Sequence, residues 1–148
     1  MLGRSGRGAT YALTDSAQQV VGGFLLAGPF VVTEEVWVLA NNMTPWHALV
    51  TVAIVFAIGY GALYKADDDR DPDREAEVAG VPVRFVSLMF VSYGSVAVLA
   101  LALTAPDTFA DAVGGIDGVT ERVVFTAKAV GVGAIFSVVG AATADSVF

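Results

Sequence analysis

Residues 20–40 read VVGGFLLAGPFVVTEEVWVLA. A hydrocarbon core about 30 Å thick needs roughly 20 mainly apolar residues in a helix, because no water is present there to satisfy free backbone groups. This block is long enough and apolar enough to meet that demand. Working outward, three further blocks have the same character, at about 46–64, 85–105 and 123–144. None alternates polar and apolar residues over about ten positions, as a membrane strand does. The expected fold is therefore all-α: a single domain over residues 1–148, a polytopic membrane protein with four transmembrane helices.

Composition points the same way. The chain is 55% hydrophobic and 16% charged, where a soluble domain is about 25% charged. Most charges gather in residues 1–15, 65–84 and 107–122, between the apolar blocks. The absence of cysteine excludes a disulfide scaffold, and a net charge of −7 excludes a basic nucleic-acid binder. Local chemistry marks the block ends. Thr44 before Pro45 is an N-cap with proline at the first helical position, and Pro82 opens the third block. Pro106 opens a short stretch, 107–113, in which Phe109, Ala110 and Val113 share a face before Gly114 and Gly115 end it. That pattern predicts a turn of surface helix.

Lysine and arginine set orientation more than acids do. Arg4, Arg7, Lys65, Arg70, Arg74 and Arg84 fall on one side of a four-span layout and Arg122 on the other. Both termini are thus expected in the cytoplasm and the protein in the cell membrane, in contact with the lipid bilayer. Segment 65–84 carries Asp67, Asp68, Asp69, Asp71, Asp73, Glu75 and Glu77 and reads as a solvated cytoplasmic loop, without the glycine and spacing of a calcium loop.

Glu34, Glu35 and Lys128 fall inside the expected spans. The glutamates lie about 9 Å, and the lysine about 8 Å, from the same membrane face at 1.5 Å per residue. Charges at such depth usually face the protein interior and find partners, so Lys128 is expected to act as an intramembrane counter-charge to one glutamate. Adjacent residues point about 100° apart on a helix, and one lysine does not serve both. The second carboxylate then needs protonation, a wet cavity, a bound cation or a symmetry mate. Pro29 removes the amide that would bond the Leu25 carbonyl and predicts a kink below the acids.

Pro29, Thr33, Glu35 and Trp37 form Pro-x-x-x-Thr-x-Glu-x-Trp. This resembles the first-helix signature of a family of small, uncharacterised prokaryotic integral membrane proteins of unknown function. The resemblance covers mainly the first two spans. It implies a four-span layout and no established activity. Family members usually have methionine where this chain has Glu34, which makes Glu35 the family position.

Small residues make two stripes that let helices approach closely: Ala53, Ala57 and Gly61 on the second span, and Ala129, Gly133, Ser137 and Ala141 on the fourth. They seat helices within the bundle or against another copy. His47, beside Trp46 near a span end, reads as a hydrated or capping residue rather than a metal ligand, and whether any metal binds is left open. No nucleophile arrangement, phosphate loop or cofactor motif is present, so neither an enzyme nor a cofactor is expected.

Two functional expectations follow. One is a homo-oligomeric cation or proton channel or transporter, with Glu35 as the main site, Glu34 as an auxiliary acid, and Asn41 and Asn42 stripping water at the outer mouth. The other is a non-transporting structural or accessory subunit in which Glu35 and Lys128 only pair helices.

Overall fold

The computed structural model describes residues 13–65, 77–78 and 81–147. Most of the acidic segment, together with Arg4, Arg7, Arg70 and Arg74, lies outside the described residues. Within them the protein is helical: α1 (Leu13–Val31), α2 (Glu34–Asn42), α3 (Pro45–Tyr60), α4 (Val83–Ala102), α5 (Ala105–Val113) and α6 (Val119–Val147). A π-helical turn, Gly61–Lys65, prolongs α3, and a two-residue antiparallel pairing joins Glu77–Val78 to Val81–Pro82 ahead of α4.

Three helices are long and apolar enough to cross a membrane: Pro45–Tyr64, Val83–Ala102 and Val119–Asp145. The first expected span differs from its reading as one continuous helix. Ser16–Val31 and Glu34–Asn42 together pass the same test, but they meet at 81°. The four-span layout therefore holds only if this bent pair counts as one crossing.

The helix caps explain where the other elements start. Thr44 Oγ1 accepts from the His47 amide at 3.4 Å, while the Thr44 amide donates to His47 Nδ1 at 3.1 Å. With Pro45 at the first position this closes the exposed N–H groups of α3, and His47 is a capping residue. Pro82 stands as the N-cap of α4. α5 forms at the expected place, starts slightly earlier with Pro106 in its first turn, and ends at Gly114 and Gly115, whose φ of 82° and 77° favour glycine. Ala110 on its inner face is buried.

α1, α4 and α6 pack on one another as a three-helix core, and α6 also touches α2, α3 and α5. Lipid supplies no hydrophobic drive between helices, so close backbone approach at small residues carries the association. Gly22 on α1 and Gly140 on α6 face each other: a Cβ on either would collide with the other's carbonyl. Nearby, Ser137 Oγ donates to the Gly23 carbonyl at 3.1 Å. The α6 stripe of Ala129, Gly133, Ser137 and Ala141 is buried within the chain, whereas Ala53 and Ala57 on α3 are exposed. α3 stands against α6 at the margin of the bundle and carries an outward row that includes Trp46, Leu49 and Phe56.

Candidate functional site

At one end of the bundle, called here the elbow end, α1 breaks into α2. α1 runs through Pro29 and two residues further, so the kink is not at the proline itself. In an unbroken helix the Pro29 carbonyl would accept from the amide of Thr33. Instead the Thr33 side-chain hydroxyl donates to it at 2.5 Å, and the Thr33 amide turns to Phe30 O at 3.4 Å. Thr33 then has extended backbone (φ −105°, ψ 120°) and becomes the N-cap position of α2. Trp37 completes the joint. Its indole N–H donates at 2.9 Å to the Val31 carbonyl, one of the carbonyls orphaned at the end of α1. The ring is 1% exposed, stacked on Phe109 of α5 at 5.5 Å and tilted against Phe125 of α6 at 5.2 Å. Three of the four motif residues thus belong to the joint: Pro29 supplies the carbonyl, and Thr33 and Trp37 supply donors.

The fourth, Glu35, sits with Glu34 in the first turn of α2, and both are exposed. Carboxylates there complement the positive end of the helix dipole. The expected Lys128–glutamate pair is not formed. Lys128 Nζ donates to the Met43 carbonyl at 2.5 Å, just past the other end of α2. The reason is geometric: the 81° bend lays α2 across the bundle, so the two ends of this nine-residue helix are about 12 Å distant at 1.5 Å per residue. The lysine reaches the negative end of the dipole rather than the acids at the positive end. Among the described residues no ion pair involves Glu34, Glu35 or Lys128.

Asn41 does come to Lys128. Both line a polar cleft of about 260 Å³ with Thr120 and Glu121, floored by Ile116 and Phe125. Asn42, also exposed, is not among its walls. Arg122 pairs with Asp107 at 2.6 Å and reaches Asp111 at 3.6 Å, which ties α5 to the start of α6. No group of three or more His, Asp or Glu among the described residues is placed to hold a metal ion.

The opposite end holds a polar cluster that the sequence reading missed. Arg84 of α4 places one guanidinium nitrogen 2.7 Å and 2.9 Å from the two carboxylate oxygens of Asp145 on α6. Their side chains are 9% and 0% exposed. Gln19 of α1 is fully buried and donates to Asp145 Oδ2 at 3.3 Å and to the Arg84 carbonyl at 3.5 Å, while its Oε1 accepts from Ser87 at 2.7 Å. Ser16 closes the cluster at 2.9 Å from Ser87. This polar clamp joins all three core helices. Arg84, one of the charges that bear on orientation, is thus also a buried partner of Asp145. The available signal was position: Arg84 lies in the first turn of one span and Asp145 near the end of the span that returns to the same side.

A family model described as "Putative integral membrane protein (DUF2391)" matches residues 5–135. No curated protein and no solved structure matches the chain.

Proposed function

The chain belongs to this family of integral membrane proteins, and from that premise we propose that it passes a cation or proton across the cell membrane as a homo-oligomer, with Glu35 as the principal site and Glu34 as its auxiliary. The observation that carries this reading is the elbow. It holds two adjacent carboxylates at the exposed start of a half-helix, with no basic partner among the described residues. Broken helices at membrane depth recur where ions or solutes bind. The α1–α6 contact is too close at Gly22 and Gly140 to admit a conduit there, and the proposed path runs between chains. Both termini lie in the cytoplasm and the elbow end faces outward. No catalytic step is involved, and Lys128 holds α2 in place rather than tuning the acids directly.

The test is cation and proton flux into liposomes carrying the purified protein. Glu35→Gln is expected to reduce flux roughly tenfold, the consequence of about 1.4 kcal/mol of lost attraction at the site. Equal, background-level leakage of sodium, potassium, calcium and protons in wild type and variant would sink the reading. The second reading, a non-transporting accessory subunit, has its own support in the bond from Lys128 to Met43, which fixes helices without engaging an acid. It predicts a stable partner in extracts of native membranes and no flux.

A further inference from the structure

Between α3 and α6, with α4 behind, runs a cleft of about 470 Å³. That volume lies within the roughly 300–1,000 Å³ of small-molecule sites. Leu49, Val52, Val124 and Ala127 give it apolar walls, and Lys128 is the sole charged residue among those lining it. Tyr93 of α4 also lines it, and the Tyr93 hydroxyl is buried with no hydrogen-bond partner among the described residues. A buried hydroxyl left unpaired costs about 1–3 kcal/mol, and this one belongs to a residue of the cleft wall, within reach of an occupant if the side chain turns. At Lys128 and Val124 the cleft adjoins the polar one that contains Asn41 and Glu121. An apolar compartment thus opens into a polar one, with a single ammonium at the junction.

We propose that these joined clefts bind one anionic phospholipid, with an acyl chain between α3 and α6 and the headgroup phosphate on Lys128. The ammonium has three donors and gives one to Met43, which leaves two for phosphate oxygens. Turned toward the cleft, the Tyr93 hydroxyl donates to an ester oxygen of the lipid. Asn41 and Glu121 face the headgroup and suit hydroxyl groups, as in phosphatidylglycerol. Exposed Trp46, at the adjoining start of α3, is the ring type that settles at headgroup level. The inference stands apart from the cation reading, since it uses neither Glu34 nor Glu35.

Native mass spectrometry of the full chain in detergent, with phosphatidylglycerol and phosphatidylcholine added in competition, tests it. Wild type is expected to retain one phosphatidylglycerol with about a fivefold preference, the size of one basic residue's contribution beside anionic lipid. Lys128→Gln is expected to abolish the preference while leaving chain binding. Ala48→Trp fills the cleft from α3 and is expected to remove the retained lipid; Val52→Phe is the second filling variant should the first fail to fold. No headgroup preference in wild type, or full retention in a folded filling variant, overturns the proposal. So does selective disulfide formation between copies carrying Leu49→Cys and Ala127→Cys, which would show a second chain in the cleft.

Discussion

At the clamp end, Arg84 and Asp145 meet at 2.7 Å almost wholly out of contact with solvent or lipid, whereas at the elbow end Glu34 and Glu35 stand exposed and Lys128 turns to a backbone carbonyl. The two ends carry similar residue types under different constraints. Charges removed from water cost several kcal/mol each, and close pairing with added hydrogen bonds offsets that cost; Gln19 provides such a bond to Asp145, and Ser87 with Ser16 behind it holds Gln19 in place. The elbow carboxylates are not enclosed by the chain, and they remain available for partners it does not itself contain. The clamp is a device for holding α1, α4 and α6 together, and the elbow leaves its two carboxylates exposed.

The comparison breaks most readily at Asp145. Asp145→Ala leaves Arg84 without its carboxylate in a buried setting and is expected to cost about 3–5 kcal/mol, measured by unfolding in mixed micelles. The double variant Arg84→Met, Asp145→Leu should recover most of that loss. If the single variant unfolds like wild type, the clamp does not hold the core.

A smaller effect is expected at the joint itself. Trp37→Phe keeps the ring between Phe109 and Phe125 but removes the bond to Val31, for a loss of about 1 kcal/mol. The same unfolding measurement checks it. Thr33→Val, which removes the bond to Pro29, should behave alike, and two silent variants would show that the bend does not depend on the motif's donors.

The smallest stability change belongs to the acids. Replacing Glu34 and Glu35 together by glutamine removes their interaction with the α2 dipole, worth roughly 0.3–1 kcal/mol each at an exposed site. A much larger loss of stability would mean that the carboxylates are structural. Little loss of stability together with lost flux would sharpen the contrast between the two ends.

Much of the layout was legible because it depends on neighbours in the chain. Thr44 and Pro45 cap α3, and glycines end α5, through contacts that span a few residues. The broken first span was not legible: Pro29 suggests a kink, but the joint depends on the Trp37 indole reaching back to Val31 between rings from two other helices. The Lys128 partner was misplaced for a related reason. Equal depth along two straight helices puts the lysine beside the glutamates, and an 81° bend moves them apart. The clamp escaped because Arg84 and Asp145 are 61 positions apart and Arg84 borders the acidic segment.

Hydropathy, caps and length were enough to determine a helical integral membrane chain, since the bilayer requires backbone hydrogen bonds to close within each segment and apolar side chains to cover them. Which charges are buried, which are exposed, and which helix a side chain meets were decided by the tertiary structure alone. Those outcomes depend on how helices rotate and bend against one another, set here by close contacts such as Gly22 on Gly140 and by the indole of Trp37.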